Sequence, residues 1–484
     1  MPKKVIIVGA GLAGISTGIY LEKQGFDTEI FELAPWAGGQ CTAWERGGYR
    51  FDGCIHWMVG TRRGDPIYQL YRETGVLEEA TEIYNAPSVS TEINGAMIEI
   101  PLEIEQFKAL LLKYAKGDED RINGIIRDIK TMMRSKLPMG MPGNLAEAVD
   151  MMLTSRGFLS LARRYAGITM EKYLEGIQSD MVRQILYRLM PPAFSAVALV
   201  MMLGTRMSGN AGYPMGGASE VIGRMVEKYK ALGGKITFNA RVDEIVVENG
   251  AARGVRQKGR FYPADCVVAA CDAHDTLKNM LGGKYAHPQL DTLLKGAPLF
   301  DPLALVSFGL DKCFDIPFAI AYELPEGIEV APGVMCHFLA LRSFDFDKTA
   351  APKGASSVMV MMGAPLEYWQ SLHETDYEEY KRQKQLLAGR VAEALEKRIP
   401  GFKAAIRVTD VATPATYVRL TNVYRASYEG FAPIPANMKK SIKKTVPGVG
   451  NLYLCGQWTT AGGGICTAVH DGKIIARKIA KECK

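Results

Sequence analysis

The chain has 484 residues, of which 48% are hydrophobic and 23% are charged, and its formal net charge is +6. This length exceeds what one hydrophobic core usually supports, so two or three domains are expected, and the composition is typical of a folded protein. The basic residues are spread along the chain, which argues against nucleic acid as a partner. The short basic cluster Lys439 to Lys444 is predicted to lie on a solvated loop.

The nine cysteines form no CxxC pair and are odd in number. This pattern argues against a disulfide framework and against a metal site, and a reducing cytoplasm is the expected location. The longest apolar candidate, Ala193 to Gly204, is shorter than the roughly 18 residues that a membrane-spanning helix needs. No membrane span is therefore expected.

The first elements along the chain are a strand, a glycine-rich turn and a helix. KKVIIVGAGLAG ends its β-branched run at Val8 and then carries the spacing GxGxxG. A helix is predicted over ISTGIYLEKQG, which ends at Gly25, and the next strand, TEIFE, closes with Glu32. The spacing alone is weak evidence, and an ordinary strand-to-helix turn is the alternative. The whole order, with an acid at its end, is typical of a dinucleotide-binding unit.

Each residue type in this unit has a physical role. Gly9 permits the tight turn, Gly11 lets backbone N–H groups approach a pyrophosphate, and Gly14 allows the helix to pack closely on the strand. The helix N-terminus then faces the phosphates, and Glu32 accepts hydrogen bonds from a ribose. The second glycine pair, in GGQCT, is placed to offer more backbone to the same pyrophosphate. The pattern by itself does not separate NAD from FAD.

Another glycine-rich turn lies near the C-terminus. A buried strand, LYLCG, is predicted to bring the chain to Gly456, and the loop TTAGGG follows it. A helix is predicted to begin at Ile465 or Cys466. Its N-terminus would carry a partial positive charge and free N–H donors.

Several ordered blocks together resemble the FAD-dependent phytoene desaturase, carotenoid isomerase and retinol saturase group of the amine oxidase superfamily. The blocks are the N-terminal fingerprint, GYRFDGCIHW, and residues 213–255, 265–281, 412–430 and 451–479. The resemblance implies FAD as the cofactor. It also implies an α/β fold, in which a Rossmann-type FAD-binding domain of parallel sheet and helices joins a discontinuous α+β substrate domain with a helical cap. The expected boundaries are 1–70, 210–290 and 440–484 for the FAD-binding domain, and 71–209 and 291–439 for the substrate-binding domain.

The resemblance also implies roles for single residues. Val242 offers its backbone to the adenine, and the helix that begins near Ile465 points at flavin N1 and the C2 carbonyl. The strand that ends near Cys271 returns the chain to the cofactor. The expected FAD contacts are Gly9, Gly11, Leu12, Ala13, Gly14, Glu32, Leu33, Gly38, Gly39, Gln40, Val242, Cys271, Gly456, Gln457, Gly464 and Ile465.

Three positions depart from the pattern of the superfamily. Gln457 stands where an acid often contacts the ribityl chain, so that contact would be a neutral hydrogen bond. Ala461 replaces a common proline, and Arg425 sits where glycine is frequent. These differences concern the substrate and the fine geometry of the cofactor rather than its identity.

His56 is the candidate catalytic residue. A histidine between two apolar residues, here Ile55 and Trp57, is more often a packed residue with one hydrogen bond. The resemblance places it on the substrate side of the isoalloxazine, where it would donate a proton, steer the substrate or brace its loop. Asp52 in the same block has the same ambiguity and is more often structural.

The middle of the chain is predicted to form the substrate domain. AMIEIPLEI alternates like strands, the following residues have helical spacing, and LALVSFGL and SSVMVMMGAP return as strands. Methionine is dense here, which favours either core filling or a pliable apolar tunnel or membrane-dipping face. The methionines are Met132, Met133, Met139, Met141, Met151, Met152, Met170, Met181, Met190, Met201, Met202, Met207 and Met215.

The expected function is that of an FAD-dependent oxidoreductase that adds, removes or relocates hydrogen on a hydrophobic, unsaturated substrate. A polyene, an isoprenoid or a lipid-like molecule would exchange a hydride with flavin N5. Amine oxidation is the alternative within the enzyme class, and a flavin-free lipid-escort protein of the same fold is the alternative outside it. NAD(P)H or another electron donor or acceptor is the expected redox partner. Peripheral membrane contact and the oligomeric state are left open.

Overall fold

The structure is a computed structural model that describes residues 2–139, 142, 144–438, 440 and 442–483. Its strands are β1 Lys4–Val8, β2 Asp27–Phe31, β3 Ala43–Arg46, β4 Tyr49–Asp52, β5 Met58–Val59, β6 Ile83–Tyr84, β7 Ser88–Ile93, β8 Ala96–Pro101, β9 Ala211–Pro214, β10 Lys235–Thr237, β11 Glu244–Glu248, β12 Ala251–Gln257, β13 Arg260–Pro263, β14 Cys266–Ala269, β15 Leu303–Leu310, β16 Ala319–Ala331, β17 Val334–Ser343, β18 Ser356–Gly363, β19 Ile406–Ala412 and β20 Leu452–Leu454.

The α-helices are α1 Leu12–Glu22, α2 Pro66–Thr74, α3 Ile104–Lys113, α4 Glu119–Met133, α5 Leu145–Tyr165, α6 Met170–Tyr173, α7 Asp180–Leu189, α8 Ala196–Met207, α9 Gly217–Ala231, α10 Ala273–Asp275, α11 Pro288–Gly296, α12 Leu366–Thr375, α13 Tyr377–Glu396, α14 Phe402–Ala405, α15 Pro414–Thr421, α16 Pro435–Met438 and α17 Ile465–Glu482. A short π-helix spans Thr276–Met280, and 3₁₀ turns span Tyr424–Ala426 and Gln457–Thr459.

A five-stranded parallel sheet holds both glycine turns predicted from the sequence. Its strand order is β10-β2-β1-β14-β20, and each neighbouring pair is parallel. The apolar run KVIIV forms β1 because a central parallel strand is covered on both faces and needs apolar side chains throughout. Helix α1 packs against α17 and α9. The predicted Rossmann-type α/β unit is confirmed, although α1 begins at Leu12 rather than Ile15.

A second sheet has seven strands in the order β19-β15-β18-β17-β16-β7-β8. The strands predicted in AMIEIPLEI, LALVSFGL and SSVMVMMGAP are present as β8, β15 and β18. Alternate residues face opposite sides. Val358 and Val360 share a core with residues of α12 and α13, whereas Met359 and Met361 contact the core that includes residues of α1 and α17. This second face of the sheet therefore points toward the nucleotide-binding unit.

The helices α3 to α8 form a cap with a core of its own, which also includes residues of β7 and β8. The predicted methionine packing is seen at Met132, Met170 and Met202, which are buried, whereas Met152 is exposed. Met141 lies outside the described residues. Within the described ranges, no helix is long and apolar enough to cross a membrane.

The basic cluster near the C-terminus has Lys440 and Lys443 exposed outside helices and strands, as predicted, but Lys444 differs from the prediction of a solvated loop. Lys439 lies outside the described residues, but Ile442 is buried and Lys444 forms an ion pair with buried Asp471. The prediction is wrong for Lys444 because its ammonium group is held by a carboxylate on α17. Charge patterning alone shows neither that partner nor the burial of Ile442.

Candidate active site

A cleft with about 1030 Å³ of space, part of it continuous with open solvent, lies beside the C-terminal ends of β1, β2 and β14. This is the edge at which parallel α/β sheets bind ligands. The structure brings the following predicted residues to its walls: Gly9, Gly11, Leu12, Ala13, Glu32, Leu33, Gly38, Gly39, Gln40, Val242, Cys271, Gly456 and Gln457. Gly14, Gly464, Ile465 and His56 are not among the lining residues.

The glycine turn is shaped to admit a ligand. Gly9 has a φ of +103°, a region that L side chains rarely adopt. A Cβ added at Gly11 would meet only the Gly38 oxygen at 4.0 Å, so it would occupy cleft space. A Cβ at Gly14 would instead lie 2.0 Å from the Gly9 oxygen, so this glycine serves the close packing of α1 on β1. No side chain caps the N-terminus of α1, which leaves its first N–H groups available to a phosphate.

Glu32 is anchored at the far end of this turn. Its two carboxylate oxygens accept hydrogen bonds from the N–H groups of Ala10 at 2.6 Å and Ala34 at 2.8 Å. Burial raises the pKa of Glu32, and these N–H donors act in the opposite direction. A carboxylate has about four acceptor positions, so room remains for ribose hydroxyls. The Ala240 N–H donates to the Glu32 carbonyl at 2.8 Å, which brings nearby Val242 to the cleft.

The turn at Gly456 depends on a residue that the sequence patterns missed. Asp471, on α17, accepts the Gly456 N–H at 2.7 Å and the Thr459 hydroxyl at 2.9 Å, and it pairs with Lys444. Asp471 is buried. These contacts fix the backbone that faces the cleft. The signal in the sequence was one acid in an amphipathic helix, which is ordinary.

The cleft has further walls that the sequence analysis did not name. They are Val8, Phe31, Cys41, Ala240, Arg241, Ala270, Asp272, Asp275, Met280, Thr421, Asn422, Val423, Cys455, Trp458 and Ala468. Most of them neighbour a predicted block, so extending each block by a few residues would have found them. Burial raises the pKa of Asp272 to about 6, although its carboxylate accepts the N–H groups of Asp275 and Tyr424.

Helix α17 begins at Ile465, as predicted, with Gly464 at the cap position and no side-chain cap. Its first-turn N–H groups are therefore free of a side-chain acceptor, and Ala468 in the same turn lines the cleft. Arg425, which replaces a frequent glycine, has a φ of +54°. That left-handed conformation explains why glycine is favoured there, because a side chain costs about 1–2 kcal/mol in this region.

His56 lies against Tyr428, and its Nε2 is 3.1 Å from the tyrosine hydroxyl. The two rings are nearly parallel, at 21°. Its Nδ1 is buried and has no hydrogen-bond partner among the described residues. Burial, together with the positive charge of Arg342, lowers the pKa of His56 to about 3. The imidazole is therefore neutral at neutral pH, and one of its nitrogens has no hydrogen-bond partner among the described residues.

Asp52 has a structural environment. Its carboxylate accepts N–H donors from Cys54 at 3.0 Å, Ile55 at 2.9 Å and Ala218 at 2.8 Å, and the Tyr213 hydroxyl at 3.1 Å. These contacts join the His56 loop to the start of α9. The ambiguity left by the sequence is thereby reduced, because little of this carboxylate remains for a substrate.

Glu429 is a second titratable group that sequence reasoning missed. A Cβ added at Gly463 would lie 2.9 Å from the Glu429 carbonyl oxygen and 3.2 Å from its Cβ, so this residue adjoins the TTAGGG loop. Burial raises the pKa of its carboxyl to about 7. It follows Tyr428 directly in the chain, so two groups that can hold a proton lie next to each other. No spacing pattern marks Glu429 in the sequence.

Comparison with known proteins gives one family over nearly the whole chain. A family model described as flavin containing amine oxidoreductase matches residues 12–480. A phytoene desaturase (lycopene-forming) of Pseudescherichia vulneris is 24% identical, with 98% of each chain covered. A chloroplastic prolycopene isomerase of Arabidopsis thaliana is 23% identical over 99% of this chain and 82% of that protein.

Solved structures show the same fold. An oxidoreductase from Methanosarcina mazei has a TM-score of 0.62 at 16% identity and covers 98% of this chain and 100% of its own. Cyclohexylamine oxidase from Brevibacterium oxydans has a TM-score of 0.57 at 14% identity, with 100% of both chains covered.

The fold and the glycine-lined cleft thus define a flavoprotein oxidoreductase. The chain belongs to the flavin-containing amine oxidoreductase family, and it is an FAD-dependent enzyme. The open space at Gly11, the anchored carboxylate of Glu32 and the uncapped starts of α1 and α17 fit this cofactor. The flavin-free escort alternative is not supported.

Proposed function

We propose that this enzyme adds, removes or relocates hydrogen on a hydrophobic, unsaturated substrate of polyene, isoprenoid or lipid-like type. The observation that carries the proposal is the buried, unpaired His56 Nδ1, which lies in mostly apolar surroundings. Trp57, Tyr417 and Met361 pack against the same core as Ile55. The names of the relatives, a phytoene desaturase and a prolycopene isomerase, support the same substrate class.

In this proposal one set of segments binds the cofactor and the other binds the substrate. Residues 1–70, 210–290 and 440–484 bind FAD, and residues 71–209 and 291–439 bind the substrate. The glycines of the first turn and Gly38-Gly39 hold the pyrophosphate, Glu32 holds the ribose, Val242 the adenine and Gln457 the ribityl chain. Bound FAD supplies a hydride acceptor or donor at N5.

The α17 N-terminus, at Gly464 and Ile465, is proposed to face flavin N1 and the C2 carbonyl. Its uncapped N–H groups and partial positive charge favour negative charge there by about 1–2 kcal/mol. His56 orients the substrate through Nδ1, because Tyr428 already occupies Nε2. Glu429 holds a proton on its carboxyl near neutral pH. Exclusion of water by the apolar walls protects the reacting centre.

The charges near His56 argue against amine oxidation. The positive charge of Arg342 acts on both His56 and Arg206. A protonated amine placed beside His56 would meet this positive field and be repelled. An uncharged or anionic substrate avoids that cost.

Anaerobic reduction of the purified holoenzyme tests the proposal. We expect loss of the oxidised-flavin absorbance with NADH, NADPH or another donor, and its recovery on adding a polyene such as phytoene, lycopene or retinol. For a desaturation, the polyene itself would bleach the flavin. For an isomerisation, the reduced enzyme would convert the polyene without net flavin oxidation. Bleaching by putrescine or cyclohexylamine, with no effect of any polyene, would establish amine oxidation instead.

A further inference from the structure

Two arginines near the candidate active site have no carboxylate partner in the described part of the chain. They are Arg206 in the last turn of α8 and Arg342 in β17. The Nε of Arg342 is buried and unpaired. Buried cations are normally paired, because an isolated charge in a protein interior is costly.

Other arginines in the same molecule follow that rule. Arg50, which is buried, pairs with Asp347 at 2.5 Å, Arg398 pairs with Glu92 at 3.0 Å, and Arg188 pairs with Glu323. Arg206 and Arg342 differ from these three arginines, because no acid pairs with either of them among the described residues. Two guanidinium groups without an acid partner would be neutralised by an anion that comes from outside the chain.

The register of the large sheet fixes the direction of Arg342. It lies opposite Ala319 on β16 and opposite Met359 on β18. Directly opposed residues share a face, and Met359 belongs to the core that includes Ile55. Arg342 thus projects toward the His56 side of the sheet and away from α13. Its guanidinium carbon lies 5.5 Å from the centre of the Phe318 ring.

Arg206 reaches the same region from the cap. Helix α8 ends at Met207, and β9, which follows it, pairs with β5 through Met58↔Gly212. Strand β5 begins two residues after His56. Burial and, second, the positive charge of Arg342 lower the pKa of Arg206 to about 9.

The phosphates of FAD are not the missing counter-ion. Neither Arg206 nor Arg342 lines the cleft that holds the glycine turns, whose cationic wall residue is Arg241. Glu429 is not the counter-ion either. Burial alone raises the pKa of its carboxyl to about 7, and neither arginine contributes to that shift. The unpaired charge therefore lies outside the cleft that carries the glycine turns.

We propose that Arg206 and Arg342 form a subsite for an anionic head group, a carboxylate or a phosphate, at one end of an unsaturated lipid-like substrate. Arginine suits this task because its planar fork binds both oxygens of such a group. This inference rests on the proposed function and narrows its substrate class from a hydrocarbon to an acidic lipid. The apolar chain would then extend past His56, and the anchored head would set which double bond meets the flavin.

Three ligands with one C15 chain test the subsite: farnesoate, farnesyl monophosphate and farnesol. Their dissociation constants for the oxidised holoenzyme are measured from the shift in the flavin spectrum or from tryptophan quenching. We expect at least one anion to bind about tenfold or more tightly than the alcohol. Tighter binding of farnesoate identifies a carboxylate site, and tighter binding of farnesyl monophosphate a phosphate site.

Arg206→Gln and Arg342→Gln should each reduce that preference to less than about threefold, while Arg342→Lys retains part of it. Arg163→Gln is the charge control, because Arg163 is exposed on α5 and distant in sequence from both residues. FAD content and melting temperature show whether each variant is folded. Equal binding of all three ligands by the wild-type protein overturns the proposal, as does a preference that survives in the double glutamine variant.

The two proposals fail in different ways. An enzyme that transfers hydrogen to or from uncharged polyenes but shows no anion preference keeps the proposed function and loses the subsite. An enzyme with arginine-dependent anion binding but no reaction with any unsaturated lipid keeps the subsite and loses the proposed chemistry.

Discussion

The Nε2 of His56 lies 3.1 Å from the hydroxyl oxygen of Tyr428, a residue 372 positions later in the chain. The Tyr428 hydroxyl is also 3.4 Å from the carbonyl oxygens of Gly53 and Cys54. This contact braces the His56 loop through one ring nitrogen and leaves the other without a partner.

We expect His56→Ala to keep FAD and the fold but to lower turnover by about a hundredfold or more, as loss of a positioned polar group does. Steady-state kinetics with flavin content and a melting curve check this. Tyr428→Phe is the companion variant, and it should have a smaller effect because it keeps the ring and Nδ1 of His56. Unchanged turnover with a lower melting temperature would return His56 to a structural role.

Gly11→Leu should abolish FAD loading. Its side chain would occupy the cleft, where the only atom within 4 Å of an added Cβ is the Gly38 oxygen at 4.0 Å. The ratio of flavin to protein absorbance in the purified variant measures the effect. Gly389→Ala is the control, because a Cβ there has no neighbour within 4 Å in the middle of α13, and it should stabilise the helix by about 1 kcal/mol. Full flavin content in Gly11→Leu would rule out this turn as the pyrophosphate site.

Glu429 should give the reaction a pH dependence. Burial raises the pKa of its carboxyl from 4.5 to about 7, so the protonated form dominates below that value. If it donates a proton to the substrate, turnover is constant below about pH 7 and falls as the pH rises through 7. Glu429→Gln should remove that limb of the profile. A profile that is the same in both proteins would exclude Glu429 as the donor.

The same shift predicts a change in stability. Because the folded state favours the protonated carboxyl, stability should decrease as the pH rises from about 4.5 toward 7. Above pH 7 both states are ionised and the loss is complete. Glu429→Gln should therefore show a smaller decrease in melting temperature than the wild-type protein between pH 5 and 8.

Asp471→Asn should destabilise the protein and weaken FAD binding. The substitution breaks the ion pair with Lys444 and weakens the acceptor of the Gly456 N–H. Breaking a buried pair costs about 3–5 kcal/mol, and the partial exposure of Lys444 favours the lower end. Chemical denaturation of the holoenzyme measures it. Lys478→Gln is the control, because its exposed pair with Glu482 is worth less than about 1 kcal/mol. Equal effects of the two substitutions would contradict the role of Asp471.

The exposed apolar residues of helix α5 predict a peripheral membrane contact. One side of it exposes apolar residues at helical spacing: Leu145, Val149, Met152, Leu153 and Leu159. We expect the protein to sediment with vesicles of phosphatidylcholine and phosphatidylglycerol, and Met152→Glu with Leu153→Glu to weaken that binding about tenfold or more. Leu232→Glu, at an exposed leucine after α9, is the control. Absence of vesicle binding by the wild-type protein would leave α5 without a membrane role.

The cofactor unit was predictable because its signals are local. The run KVIIV, the glycines of GxGxxG and Glu32 lie within one short stretch, and each has a backbone or hydrogen-bonding reason that acts over a few residues. The start of α17 at Ile465 was predictable for the same reason, since the preceding glycines end the loop. The strand pattern of LALVSFGL is likewise a property of adjacent residues.

The charges of the candidate site were decided only by the tertiary structure. Asp471 on α17 accepts the Gly456 N–H, Lys444 pairs with that buried acid, and the charge of Arg342 on β17 acts on Arg206 of α8. No periodicity encodes whether a charged side chain finds a partner. That outcome, and the pKa of Glu429, depend on burial and on fields from residues distant in the chain, which exist only once the cap and the two sheets have packed together.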